Sequence, residues 1–335
     1  MTLPVGESTS ATEFAGTGEP EPGETEAIRG RSMWAVAWRR LRRDKVAMAG
    51  GVVCLLLVLI AIFAKYLCAW YGKTPNMAFT DLTNAGTQMP LGRFGGMSGA
   101  HWFGVTPVSA NDIVANLIYG LRTSLIIGSL ATLLSLVLGV LFGTLAGYFG
   151  GVSDTVISRT MDMLLSFPVL LFSIALLTVF AIIPSFAGLS GMALRYAVII
   201  FVLGFFGFAY IGRIVRGQVL SIRQNDFVAA ARSLGASNSR IMIREIMPNI
   251  VGPVLVWTTL TIPNYILGEA GLSYLGVGIQ PPGVSLGDML SSAGNYLEVD
   301  PTNLFFPGIT IFITVLAFNL FGDGLRDALD PKSMR

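Results

Sequence analysis

Apolar residues in this chain come in long, nearly uninterrupted runs rather than in short alternating stretches. Six runs approach the roughly 20 residues that a helix needs to cross a hydrocarbon core. They fall near 46–67, 123–148, 161–183, 194–214, 250–274 and 304–322. The pattern predicts an all-α polytopic membrane protein with six transmembrane helices. Pro253 and Pro263 interrupt the fifth run, which is therefore expected to be bent or broken.

The polar stretches divide the rest. Residues 1–30 are rich in Glu, Gly, Pro, Ser and Thr and lack apolar periodicity, so they read as a disordered acidic tail. With no basic start and no apolar core, this tail does not read as a signal peptide. In 31–45, Trp34 and Trp38 share one helical face and arginines surround them. Two readings stand: an amphipathic cytoplasmic helix on the membrane surface, or ordinary charge flanking the first span, 46–67. The 68–122 segment is rich in Gly, Pro, Asn and Thr, with Trp70, Tyr71 and Trp102 scattered through it. It reads as an extracytoplasmic docking surface or as a loose lid. A five-helix core then spans 123–322, with a cytoplasmic loop at 213–249, and 323–335 forms a cytoplasmic tail.

Charge sets the orientation. With the N-terminus inside, 17 of the 22 Lys and Arg fall on the inner side of the spans, which favours both termini in the cytoplasm of a cell-membrane protein. Composition agrees with lipid as solvent. The chain is 53% hydrophobic, only 13% charged, and has a mean hydropathy of +0.67; a soluble domain carries about 25% charged residues. The net charge of +2, without basic runs among stacking aromatics, excludes nucleic acid as a partner. Cys54, Cys68 and the single His101 build neither a disulfide framework nor a zinc site, so no metal is expected.

The 213–249 loop carries the clearest functional pattern. Asn225 or Asp226 can N-cap a short helix. Phe227, Ala230, Ala231 and Leu234 then share one face, and Gly235 can end the helix in the left-handed conformation. Ser237 can start a second helix, which Pro248 limits. Small side chains allow close approach of another surface, so the unit reads either as a knob gripped by a second protein or as a helix lying against its own bundle.

Other chemistry is sparse. Gly72-Lys73-Thr74 echoes the end of a phosphate-binding loop, but Leu67 stands where that loop needs glycine, so no ATP site is expected on this chain. Glu269 is the ionisable residue to weigh near a span. Counting from 250 places it near the outer interface, within reach of water, as a structural or gate-lining carboxylate or as a substrate contact. No acidic pair accompanies the prolines of the fifth run, which disfavours an ion-coupled secondary transporter. No cluster of polar catalytic groups lies in the spans, which disfavours an enzyme.

The loop resembles the cytoplasmic "EAA" loop of ATP-binding-cassette importer permeases: Glu-Ala-Ala, three residues, Gly, nine residues, Ile-x-Leu-Pro. Here Ala229-Ala230-Ala231 is followed by Gly235 and by Glu245-Ile246-Met247-Pro248 at the same spacing. Ala229 replaces the Glu, and Glu245 stands where Ile or His is usual. Further stretches are similar to the C subunit of the dipeptide/oligopeptide/nickel branch. They include Ile118 to Leu125, Ala146 to Gly151, Leu165 to Pro168, Leu267 to Gly276 and Leu320 to Asp327. The resemblance covers roughly 31–331. It implies the type I importer permease fold, with Phe227, Ala229, Ala230, Ala231, Leu234, Gly235 and Pro248 coupling to the ATPase and Glu269 at a gate or pathway. It also implies a homologous second permease, two ATPase subunits that use the ATP, an extracytoplasmic solute-binding protein, and di- or oligopeptides as solutes, with nickel as the alternative. No cofactor is implied for this chain.

Overall fold

The computed structural model describes residues 33–92 and 94–329. The expected 1–30 tail and the end of the 323–335 tail lie outside them. Helices α1 (Met33–Leu41), α2 (Lys45–Ile62) and α3 (Ala64–Tyr71) open the chain. Next come α4 (Ile113–Phe149), α5 (Gly151–Ser166), α6 (Val169–Ile182), a hairpin of β1 (Ser185–Phe186) and β2 (Leu189–Ser190), and α7 (Gly191–Ile222). Helices α8 (Asp226–Ser233) and α9 (Asn238–Arg240) lead through a π-helical turn, Ile241–Ile246, into α10 (Met247–Tyr274). Helices α11 (Leu286–Gly294) and α12 (Pro301–Leu329) end the described chain.

Five helical stretches are long and apolar enough to span a membrane: Lys45–Ile62, Ile113–Phe149, Gly191–Ile222, Asn238–Tyr274 and Pro301–Leu329. The pair α5 and α6, bent by 81° between them, makes a sixth if it is one span. That bend corrects the expected position of the break. Proline disfavours helical geometry in the residue before it, and Phe167, before Pro168, is extended at φ −79°, ψ 134°. The 238–274 stretch runs unbroken through Pro253 and Pro263. Prolines are tolerated in spanning helices where neighbouring groups satisfy the freed carbonyls.

The boundaries also move. Asp112 caps α4 by accepting the Ala115 amide at 3.0 Å, so the second span starts at 113 rather than 123. Helix α7 runs to 222, which shortens the 213–249 loop, and 323–329 is the last part of α12 rather than a tail. At 37 residues, α4 is about 55 Å long and projects beyond a hydrocarbon core of about 30 Å.

Helices α4 and α7 form the central seam. Gly139, Gly143 and Gly147 lie four apart on α4 and meet Ile211, Gly212, Val215 and Val219. A Cβ on Gly143 would stand 2.6 Å from the Gly212 carbonyl oxygen, so these backbones touch. Gly50 and Gly51 of α2 seat α12 in the same way, against Ala317, Leu320 and Phe321. Ala37 and Leu41 of α1 pack with Ala47 and Ala328, tying the start of the described chain to the end of α12. Trp38 is exposed, with the Arg42 guanidinium over its ring.

The segment before α4 is packed rather than loose. Asp112 is buried beneath His101 Nδ1 at 2.8 Å, Tyr71 Oη at 3.1 Å and Lys73 Nζ at 3.7 Å. Burial, with the Asp112 carboxylate nearby, pushes the Tyr71 phenol up to about 12. Asn76 Nδ2 donates to the Pro282 carbonyl at 2.7 Å, and Phe103 stacks on Phe306, so this cap also holds the α10–α11 connection and α12.

Candidate functional site

Helix α7 ends at Arg223, whose Nη1 donates to the Gly147 and Tyr148 carbonyls at 2.8 and 3.2 Å. A cation is favoured there because the last carbonyls of α4 have no helical partner. Asn225 is extended, and its carbonyl accepts the Val228 and Ala229 amides to open α8. Of the two expected N-caps, Asn225 holds the position through its backbone alone. Gly235 stops the helix at φ 78°, in the left-handed region where a side chain is strained. The Ala236 amide then reaches back to the Ala231 carbonyl at 3.1 Å. Ser237 Oγ accepts the Arg240 amide at 3.4 Å, and Tyr148 Oη donates to Asn238 Oδ1 at 2.8 Å. Both ends of the turn are thus fastened to the end of α4.

Pro248 does not limit the second helix as expected. The helical run passes through it into α10, and the π-helical turn just before it absorbs the misfit. Asn249 Nδ2 donates to the Glu245 carbonyl at 2.6 Å, satisfying one backbone oxygen beside the proline.

Helix α8 has two unlike faces. Val228 is 0% exposed and packs with Val215, Val219, Ile241, Ile246 and Ile250. Ala231 leans on the same cluster, half-buried. Ala229, Ala230 and Gly235 are exposed, Phe227 is 41% exposed and Leu234 87%. The face Phe227, Ala230 and Leu234 therefore points away from the bundle, and Ala231 lies at its edge. Sequence reasoning missed Val228 as the anchor, although it is the one β-branched residue in Asp226–Ser233.

Sequence reasoning also missed two ion pairs that brace the bent helix. Arg216 of α7 grips Asp154 of α5 through two hydrogen bonds, and Arg213 pairs with Asp162. Among the described residues, no three His, Cys, Asp or Glu side chains converge as metal ligands would.

Glu269 lies deeper than its position along the helix implied. Its exposure is 0%. Ser124 of α4 donates to Oε2 at 2.6 Å and Ser273 of α10 to Oε1 at 2.7 Å, and Ser285 lies close by. Water does not reach it because α11 folds over the end of α10. A Cβ on Gly287 would lie 2.3 Å from the Ala270 carbonyl oxygen. The carboxylate thus joins α4, α10 and the start of α11. Ser124, 145 residues away, carried no signal that sequence spacing could reveal, whereas Ser273, four residues on along the same helix, was legible.

Comparison with solved structures defines the class first. The chain is similar to a chain of the MetNI methionine ABC transporter, solved in inward-facing conformations. The TM-score is 0.51 at 18% identity, over 65% of this chain and 98% of the other. The fold is that of a type I ABC importer permease. Residues 139–335 match the family described as binding-protein-dependent transport system inner membrane component, and 32–86 match the N-terminal TM domain of oligopeptide transport permease C. The dipeptide transport system permease protein DppC of Alkalihalophilus pseudofirmus is 37% identical over 90% of both chains. The oligopeptide transport system permease protein OppC of Bacillus subtilis is 38% identical over 92% of this chain and 94% of its own. The glutathione transport system permease protein GsiD of Pectobacterium atrosepticum is 37% identical over 90% and 92%. The chain belongs to the binding-protein-dependent inner-membrane permeases, in the branch of the dipeptide and oligopeptide C subunits. It is a transport subunit and not an enzyme.

Proposed function

We propose that this permease passes di- or oligopeptides through the membrane and that α8 is its grip on the ATPase. The relatives' names, which speak of dipeptide, oligopeptide and glutathione, support the solute class. The observation that carries the coupling role is the open face of α8, with Leu234 87% exposed on a helix anchored through Val228. A groove in an ATPase subunit can take Phe227, Ala230 and Leu234, and Ala229 and Ala230 let it approach the backbone. Force on α8 reaches α4 through Arg223 and Tyr148, and α10 through the continuous run from Asn238. ATP binding closes the motor, α8 moves with it, and the spans alternate between inward-open and outward-open. The cap before α4 faces the solute-binding protein, both termini are cytoplasmic, and a homologous second permease and two ATPase subunits complete the assembly. Glu269 lies on the joint that an outer gate would have to move.

Replacing Ala230 with Trp fills the open face without touching the bundle. ATP-driven peptide uptake in proteoliposomes of the full importer is expected to fall at least about tenfold, a loss of roughly 1.4 kcal/mol of coupling, while insertion stays normal. Wild-type uptake with normal ATPase co-purification would remove the coupling role.

A further inference from the structure

The outer end of the molecule holds a cavity of about 350 Å³ that the coupling reading does not use. It lies between the cap, the α10–α11 connection, α11 and the start of α12. Its described lining carries one carboxylate, Asp288, together with Asn76, Asn116, Asn295, Asn303 and the ring of Tyr296, and no Lys, Arg or His. Asn303 is only 2% exposed, yet its side-chain amide makes no hydrogen bond to any described residue. The Asp288 carboxylate likewise has no hydrogen-bond or ion-pair partner among them. Asp288 is half-buried on the cavity wall, so its carboxylate is open to an occupant.

We infer that this cavity is a receiving site for a protonated primary amine, and that its occupant in transport is the amino terminus of a peptide arriving from the outer side. The inference rests on the peptide reading above. One anionic oxygen pair beside several amide oxygens suits the three donors of an ammonium group. The same lining repels a carboxylate or phosphate, since it offers no cation. A divalent metal would need more carboxylate ligands than one. Burial and the nearby Glu269 charge push the Asp288 carboxyl up to about 6, so it is mostly ionised at neutral pH. A dipeptide fits the volume, and Met289 and Val284 supply an apolar wall for its first side chain.

The test uses the complete importer in lipid nanodiscs, without ATP, and two probes: L-alanyl-L-alanine and ethylamine. Binding is read by saturation-transfer NMR. Both probes are expected to bind wild type, and N-acetylation of the dipeptide is expected to abolish its signal. Asp288→Asn is expected to weaken both probes about tenfold, the worth of one charge-assisted hydrogen bond, and Asn303→Leu to weaken them by a smaller factor. Asp288→Glu should retain binding. Co-elution of each variant with its partner subunits shows that it has assembled. Asp288-dependent ethylamine binding without any dipeptide import by wild type would uphold the amine site and remove the peptide reading. Dipeptide import with probe binding unchanged in Asp288→Asn, or unaffected by acetylation, would overturn the site and leave the peptide reading standing.

Discussion

Glu269 shows how one side chain organises an end of the bundle. Two serine hydroxyls, one from α4 and one from α10 itself, donate to it, and Ser285 at the start of α11 lies close by. Replacing it with Ala leaves those hydroxyls without an acceptor, at about 1–3 kcal/mol for each that finds no new partner. Glu269→Ala is expected to lower the thermal midpoint of the purified complex by several degrees (order of magnitude from), and Glu269→Gln by less, because its carbonyl oxygen still accepts. Equal midpoints for both variants and wild type would remove the joint. Asp288 gives the matching pH expectation. Its carboxyl is raised by burial first and by Glu269 second. The folded state therefore holds the proton more tightly than the unfolded chain, whose carboxyl titrates near 3.8. This contribution to stability is full below about pH 4 and is lost as pH rises to about 6. The protection of α11 amides, taken relative to the intrinsic exchange rate at each pH, is expected to fall across that window in wild type and to stay level in Asp288→Asn.

Among the elements, α4 and α7 pack backbone against backbone along a line of glycines. Gly143 has the Gly212 carbonyl where its Cβ would go. Gly143→Leu is expected to cost more than the roughly 1–3 kcal/mol of ordinary overpacking, since backbone rather than a side chain must move. The measurement is yield of assembled complex, and a wild-type yield would contradict the contact. The elements also show which signals a sequence carries. Long apolar runs revealed the spans, because lipid demands about 20 apolar residues whatever packs behind them. The extent of α4 to Ile113 was hidden, because its first turns pack under the cap and carry Asn116, Tyr119 and Arg122 rather than an unbroken apolar run. Proline content pointed to the fifth span, yet Pro168 makes the break and Pro263 does not. What decides is whether the preceding residue is held in helical geometry, which composition does not encode. Helix α8 was visible from its cap, its alanines and Gly235. Its anchor Val228 was not, because its partners lie on α7 and in the Ile241–Ile246 turn.

For the molecule as a whole, connectivity fixes which segments share a side. Helix α1, the turn after α4, helix α8 and the end of α12 lie at one end, joined by Ala37 to Ala328 and by Tyr148 to Asn238. The cap, α11 and the start of α12 lie at the other, joined by Asn76 to Pro282 and Phe103 to Phe306. Both natural thiols are buried, so engineered surface cysteines report sidedness without background. In the permease expressed without its ATPase subunits, Leu234→Cys is expected to react with a membrane-impermeant maleimide only in inside-out vesicles, and Val108→Cys only in right-side-out cells. The reverse pattern would invert the proposed orientation and with it the motor's place.

Helix α8 stands on a single fully enclosed valine, and under the proposed coupling role that footing sets the economy of the whole machine. A stroke delivered to a limb that rocks on its socket is partly wasted. Val228→Ala opens a void beneath the limb while leaving its outward face untouched. The importer carrying it is expected to keep burning nucleotide at near-normal speed while moving fewer peptides per turnover, so that the ratio of phosphate released to solute gained climbs. A ratio equal to wild type would mean that the limb is held from elsewhere.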